Sequence, residues 1–232
     1  MDEIWEKYTQ KIYPLIDKNL DSEFRYMKKN YKKYLPKNKN APILEIGFGR
    51  GSFLAYLKRE GYGSFLGIEV GKAQVNFVKK TITQNVKLVK NMADFLKKHN
   101  NQYELIFLGD VIAHLPKEKI ILYLKLARNA LKNKGIILIR TPSITNPFCL
   151  RSISNDFTYT SYYSYESIQQ ILSIVDFNEI IIKEENFNID FKGCIYQIIL
   201  NIFNLFLRPI LILHNRTKKL ILTKMMIVIA KK

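Results

Sequence analysis

Three glycines at every second position follow a short apolar run near the start of the chain. The run includes Glu45, the glycines are Gly47, Gly49 and Gly51, and an amphipathic segment begins at Ser52. This order predicts a strand, a tight turn and a helix. Glycine allows a ligand to approach the main chain closely, and the start of the helix adds unpaired N–H groups. The segment therefore predicts a turn that binds a ligand.

The glycine spacing excludes one class of ligand. A dinucleotide fingerprint requires Gly-x-Gly-x-x-Gly, but its last position is Ser52 counted from Gly47 and Leu54 counted from Gly49. The remaining pattern, acid-x-Gly-x-Gly-x-Gly, resembles motif I of the class I S-adenosylmethionine-dependent methyltransferases. The resemblance implies S-adenosyl-L-methionine as cofactor, with its methionine part against the turn. It also implies that Glu45 helps to hold the turn and the cofactor's amino group.

Two later strand ends extend this predicted cofactor site. A second apolar run ends at Glu69, 18 residues beyond Gly51, which is close to the spacing of about 20 expected for a carboxylate that binds ribose hydroxyls. After a third strand, the resemblance implies an acid that bonds the adenine amino group. Asn91 stands in its place, and an amide oxygen can also accept. The predicted cofactor-binding residues are Glu45, Gly47, Gly49, Gly51, Glu69, Asn91, Met92 and Asp110.

The acceptor should lie beyond the fourth strand, which ends at Asp110, because ligands bind outside the carboxyl ends of parallel strands. The following residues resemble an Asp-x-x-Glu-His-Leu-Pro signature of small-molecule and sugar methyltransferases, with Ala113 in place of Glu. His114 could take the proton of a hydroxyl acceptor. A phosphate-like acceptor needs no base, and Arg140 or Arg151 would orient it.

The segment Asp156-Phe157-Thr158-Tyr159 resembles methyltransferases encoded among bacterial capsule and O-antigen genes, which typically have Asp-Phe-Thr-His. The resemblance covers residues 41–183 and the final strand. It implies an O-methyltransferase acting on a surface-polysaccharide sugar, its precursor or a phosphate-like decoration. The candidate catalytic residues are His114, Asp110, Asp156 and Tyr159.

The alternation of strands and helices and the resemblance imply an α/β fold. We expect a Rossmann-like, seven-stranded, mostly parallel sheet with an antiparallel last strand and a helical insertion before it. The predicted parts are an N-terminal helical cap (1–40), the methyltransferase core (41–183), an amphipathic helical insertion (184–222) and a final strand (223–232). A helix over 117–133 should precede the fifth strand.

The cysteines and the first residues bear on the cell compartment. The two cysteines, Cys149 and Cys194, are too few and too far apart in sequence to predict a disulfide framework or a metal site. Because the first residues show no secretory leader, we expect a cytoplasmic protein. Because no zinc-type or calcium-type ligand spacing occurs, we expect no metal.

The formal net charge of +17 favours a nucleic acid or an anionic membrane as partner. The lysines are scattered among Ile and Asn, however, which coding bias explains equally well. A nucleic-acid methyltransferase is disfavoured because the chain lacks the Asn/Asp-Pro-Pro-aromatic motif and any recognisable RNA-binding module.

A cofactor-binding scaffold without turnover is a further alternative, because Asn91, Ala113 and Tyr159 all depart from the usual residues.

A nearly apolar segment, Cys194–Leu213, is long enough to raise the question of a membrane span. Its polar residues recur at intervals of four, three and four, which places them on one face of an amphipathic helix. They are Gln197, Asn201, Asn204 and Arg208. Pro209 should end or kink this helix. Its apolar face could pack on the protein itself, on a second copy in a homodimer, or on the anionic inner-membrane surface.

Overall fold

A computed structural model describes residues 20–150 and 154–232. Seven strands form one sheet in the order β3-β2-β1-β4-β5-β7-β6. They are β1 (Ile43–Ile46), β2 (Phe65–Glu69), β3 (Val86–Leu88), β4 (Tyr103–Gly109), β5 (Leu131–Pro142), β6 (Asn178–Glu184) and β7 (Met225–Lys231). Neighbouring strands from β3 to β5 pair in parallel, and β7 is antiparallel to both β5 and β6. The predicted Rossmann-like fold is confirmed.

Helices cover both faces of this sheet. Within the described residues they are α1 (Asp21–Asn30), α2 (Ser52–Arg59), α3 (Lys72–Thr81), α4 (Met92–Lys97), α5 (Lys117–Ala130), α6 (Tyr165–Ile174) and α7 (Phe191–Asn215). Helices α1 to α3 contribute to one buried apolar cluster, and α4 to α6 contribute to a second. Because both faces are covered, the central strand β1 is buried along its whole length, as its apolar run predicts.

One boundary differs from the prediction. The helix expected over 117–133 ends at Ala130, and β5 begins at Leu131, which pairs with Tyr103 of β4. Leu131 is completely buried, so burial of its side chain in the core favours its position in the sheet. Lys134 takes a φ of +63° before the strand resumes its regular pairing. Burial of the Leu131 side chain in the sheet therefore outweighs the helical periodicity of the sequence at this position.

Helix α1 is fastened to the segment that follows β6. The buried Asn30 side chain donates to the carbonyl of Asn186 at 2.9 Å and accepts from its N–H at 2.9 Å. Lys183 donates to the Asn30 carbonyl at 3.1 Å, and Met27 and Tyr31 enter the core. These contacts hold α1 across the end of the sheet. Residues 1–19 of the predicted N-terminal cap lie outside the described residues.

The long helix α7 does not end at Pro209 but continues to Asn215, so of the two predicted effects of this proline, an end or a kink, the first is wrong. A proline inside a helix removes one backbone donor and crowds the carbonyl four residues earlier, at a cost of about 3 kcal/mol. Arg208, just before the proline, is fixed to Glu184 at 2.8 Å and to the Leu220 carbonyl at 3.3 Å. Tertiary contacts to the end of β6 and to the segment before β7 therefore hold the helix where its local sequence would interrupt it.

We expect Asn30→Ala to lower the free energy of unfolding by about 1–3 kcal/mol, because it leaves the N–H and C=O of Asn186 without their partners. Chemical denaturation would measure this loss. Asn100→Ala, at an exposed position, is the matched control and should change stability by less than about 0.5 kcal/mol. Equal stability of the two variants would show that Asn30 does not fasten α1.

Candidate active site

A cavity of about 790 Å³ opens outside the carboxyl ends of the central strands. This volume lies within the range of small-molecule and cofactor sites. The glycine turn and the residues after β2, β3 and β4 line one part of the cavity, while α1 and residues 156 and 159 line another. The sheet therefore brings together segments that are far apart in sequence.

The three glycines of the turn share a backbone conformation but differ in the space around them. All three have positive φ, +70° at Gly47, +51° at Gly49 and +76° at Gly51, a region that other residues enter only at a cost. A Cβ at Gly47 would lie 2.7 Å from Val111, and one at Gly51 would lie 2.8 Å from Val78. A Cβ at Gly49 would meet nothing within 4 Å. Glycine is therefore needed at position 51 because Val78 packs closely against it, whereas glycine at position 49 leaves space open in the cavity.

Two buried carboxylates lie under this turn. Glu69 accepts from the N–H groups of Gly49 at 3.0 Å and Val70 at 2.7 Å. Burial raises the pKa of Glu45, and the nearby Glu69 raises it further. Oε2 of Glu45 is buried without a hydrogen-bond partner among the described residues, and Glu45 lines the cavity. A cationic amino group bound there would satisfy this oxygen and favour the charged carboxylate.

Asn91 and Met92 also line the cavity. Both were predicted from the sequence to lie beside the adenine of the cofactor. The Asn91 side-chain oxygen accepts from the Ala93 N–H at 2.8 Å and so caps α4. The oxygen predicted to receive the adenine amino group therefore already serves the helix. An amide oxygen has two lone pairs, so one remains for such a donor.

Arg140 of β5 lies between two carboxylates at the floor of the cavity. It forms an ion pair with Asp110, after β4, and its Nε donates to Glu185, after β6, at 3.0 Å. The Tyr26 hydroxyl of α1 donates to the same Glu185. Burial raises the pKa of Asp110, and Arg140 opposes that rise. The two carboxylates thus engage Nε and Nη1 of the guanidinium, so orienting a phosphate, the role predicted for Arg140, would fall to its other terminal nitrogen, Nη2. Arg151 lies outside the described residues.

His114 belongs to a short hydrogen-bonded chain with Thr158 and Asp156. The Thr158 hydroxyl lies 3.0 Å from His114 Nδ1 and 2.5 Å from Asp156 Oδ1. A hydroxyl has one proton, and a carboxylate can only accept it. Thr158 therefore donates to Asp156 and accepts from His114, which places the imidazole proton on Nδ1. The lone pair of the neutral ring is then on Nε2.

The environment of His114 also sets its charge. Burial lowers the pKa of His114 below the ordinary value of 6.5, against the attraction of Asp156, which raises it. The ring is therefore neutral at pH 7. The Tyr159 ring lies beside it, with 4.7 Å between ring centroids. The structure thus brings together the four predicted catalytic residues His114, Asp110, Asp156 and Tyr159, all of which line the cavity.

Three contributors to this site were absent from the predicted set. Thr158 stands inside the Asp-Phe-Thr-Tyr segment, and an Asp that accepts from the backbone two residues later is a recognisable turn. The Thr158 N–H does donate to Asp156 at 3.0 Å. Tyr26 and Glu185 lie 159 positions apart. No local pattern connects such distant residues, so only the folded chain could identify them.

Comparisons with known proteins agree with this geometry. Residues 20–181 match the methyltransferase-domain family. Phosphoethanolamine N-methyltransferase from Plasmodium falciparum is 31% identical over 105 residues, which are 44% of this chain and 39% of that protein. The chain thus matches about two-fifths of the length of this relative.

Solved structures share the fold. An S-adenosylmethionine-dependent methyltransferase from Archaeoglobus fulgidus has a TM-score of 0.69 at 18% identity, over 99% of both chains. Phosphoethanolamine N-methyltransferase 2 of Haemonchus contortus, in complex with S-adenosylmethionine, has a TM-score of 0.59 at 15% identity, over 98% of this chain and 60% of that one. The predicted enzyme class and cofactor are confirmed at the level of family and fold. The chain belongs to the methyltransferase-domain family, with the fold of the class I S-adenosylmethionine-dependent methyltransferases.

Proposed function

We propose that this protein transfers a methyl group from S-adenosylmethionine to a hydroxyl oxygen of a surface-polysaccharide sugar or its precursor, of the capsule or O-antigen kind. The observation that carries the hydroxyl acceptor is the neutral His114, whose Nε2 lone pair suits it to take a proton. The glycan part is supported by the resemblance over residues 41–183 and by the Asp156–Tyr159 segment.

The residues of the cavity fit the proposed cofactor. Glu45, with its unsatisfied buried oxygen, would receive the amino group, and Gly49 leaves open the space that the methionine part would occupy. Asn91 and Met92 would lie beside the adenine. Glu69 holds the turn through backbone bonds and would face the ribose. S-adenosylmethionine supplies a methyl group that is already activated by the positive charge on its sulfur.

The protein must then align the acceptor and manage one proton. As the bond between the acceptor oxygen and the methyl carbon forms and the bond from sulfur to that carbon breaks, His114 takes the hydroxyl proton at Nε2. Asp156, acting through Thr158, stabilises the resulting imidazolium charge. Thr158 also fixes the tautomer that makes Nε2 the basic nitrogen. Asp110 is held by Arg140 and serves position rather than proton transfer.

A phosphorylated amine is the second candidate acceptor. The relative from Plasmodium falciparum is a phosphoethanolamine N-methyltransferase, and the cluster of Asp110, Arg140 and Glu185 carries one negative charge when all three are ionised, which would attract an ammonium group. Turnover assays with nucleotide sugars, glycan extracts and phosphoethanolamine would separate the two, because the product bears its methyl on oxygen or on nitrogen. Methylation of phosphoethanolamine alone would overturn the glycan proposal. A scaffold would bind S-adenosylmethionine with no turnover on any acceptor.

We expect Gly49→Val to lower the affinity for S-adenosylmethionine by more than about tenfold, because its side chain would enter the cavity. Gly61→Val is the matched control. Gly61 also has positive φ and open space around its Cβ, but it lies outside the cavity. Both variants should lose about 1–2 kcal/mol of stability from backbone strain, and only Gly49→Val should lose affinity by calorimetry. Equal affinities would remove the turn from the cofactor site.

Removal of His114 should lower kcat by ~10²–10⁴-fold, the usual contribution of a general base. Because the base must be neutral and burial lowers the pKa of His114 below its ordinary value, kcat should fall at acidic pH, with the midpoint of this acid limb below that ordinary value. His114→Ala should lose that acid limb, whereas His99→Ala, outside the cavity, should keep it. Full turnover by His114→Ala on the true acceptor would indicate chemistry without a base.

Thr158 is a positioning residue, and its hydroxyl should be the part that matters. Thr158→Val keeps the shape but removes the link between His114 and Asp156, so we expect kcat to fall by about tenfold or more with the acid limb moved to lower pH. Thr158→Ser restores the hydroxyl and should restore both the rate and the pH profile. Identical profiles for the two variants would contradict the proposed chain.

A further inference from the structure

Helix α7 presents its apolar residues outward. Two residues of its polar stripe contact the protein instead: Gln197 accepts from the Phe187 N–H at 2.9 Å, and Arg208 pairs with Glu184 at 2.8 Å. None of its 25 residues is buried by the part of the chain that the structure describes. Its exposed outer surface, which we call the α7 face, comprises Ile198, Ile202, Leu205, Phe206, Ile210 and Leu213. Among residues 20–150 and 154–232, nothing packs over this face closely enough to bury it.

Within the described residues, α7 is also the one helix long and apolar enough to cross a membrane by length and composition. Its connections argue against crossing. The helix is preceded by β6 and followed by β7, and these strands are hydrogen-bonded neighbours in one sheet. A single crossing would place them on opposite sides of the bilayer. The helix also contacts the sheet domain through Arg208, partway along its length. An arrangement parallel to a membrane surface satisfies both constraints.

Basic residues border both ends of the α7 face. Lys192 lies in its first turn, and Arg216, Lys218 and Lys219 follow its last turn. From residue 191 to the C-terminus the sequence contains seven other Lys or Arg besides Lys192 and no acid. Lys and Arg beside an apolar helix face attract anionic lipid headgroups. The surface thus has the composition of an interfacial anchor.

Charge also distinguishes a membrane from a second copy of the chain. Two copies paired through antiparallel α7 helices would bring Lys192 of each near the 216–219 cluster of the other. A parallel pair would bring the two 216–219 clusters together. Either arrangement places like charges opposite each other, and the acids beside these clusters, Asp190 and Glu166, already bond to Arg25 and Thr217 of the same chain. An anionic bilayer supplies the missing charge.

The α7 face continues toward the cavity. Phe148 is 67% exposed and packs edge-on against Phe203 of α7, with 5.3 Å between ring centroids. Ile189, two residues before the helix, lines the cavity itself. We propose that the α7 face docks on the surface of an anionic phospholipid membrane. This docking stands independently of the acceptor proposed above.

Flotation with liposomes tests the proposal on the full chain. The protein should float with vesicles of phosphatidylcholine and phosphatidylglycerol, and binding should rise with the anionic fraction and fall at high salt. Lys218→Glu with Lys219→Glu should weaken binding by at least about thirtyfold, because each basic residue near the surface contributes roughly a factor of five. Lys79→Glu with Lys80→Glu, exposed on α3, is the matched charge control and should bind like the wild type.

The apolar contribution needs its own variant. Leu205→Gln with Phe206→Gln should abolish flotation but preserve the fold by circular dichroism, since both side chains are exposed. Ile174→Gln, at an exposed position on α6, should leave flotation unchanged. A wild-type protein that stays at the bottom with every lipid mixture overturns the proposal. A wild-type dimer that Leu205→Gln with Phe206→Gln dissociates would assign the face to a subunit interface instead.

Discussion

The ion pairs of Arg140 are the interaction on which the site depends. Through this one guanidinium, β5 is joined to the residue after β4 and to the residue after β6, and Tyr26 brings α1 to the same point. Glu185 is only 2% exposed, and an uncompensated buried charge costs about 3–5 kcal/mol. The four segments must therefore meet for the buried charge of Glu185 to be tolerated. That requirement shapes the floor of the cavity.

Electrostatic balance at this floor also separates the roles of the carboxylates. Asp110 is held by Arg140, whereas Asp156 is linked to His114 through the Thr158 hydroxyl. Asp110 has a φ of +63°, a strained conformation for a residue other than glycine, and such strain concentrates at functional sites. His114, desolvated beside these groups, stays neutral. One acid thus contributes to the architecture, and the other raises the pKa of His114.

Helix α7 shows that the same amphipathic pattern can face either way. Such a stripe of polar residues ordinarily turns toward solvent. Here the stripe includes an arginine and a glutamine whose partners, Glu184 and the Phe187 N–H, lie on the protein side. Forming these contacts turns the apolar residues outward. Exposed hydrophobic side chains on such a scale mark an interaction surface, and Ile189, two residues before this helix, lines the cavity.

The sequence by itself determined the class of fold and the cofactor end of the site. Closely spaced residues carry that information. The glycines at 47, 49 and 51 predict a turn, because only glycine adopts positive φ at little energetic cost. Each apolar run in turn predicts where a strand ends. Contacts over long sequence separations were decided by the tertiary structure alone. The meeting of Tyr26, Arg140 and Glu185, the end of α5 at Ala130 and the outward direction of the α7 face all arose from burial and charge pairing between distant segments. Local periodicity records which residues share a face, but the partner of that face is set by the rest of the fold.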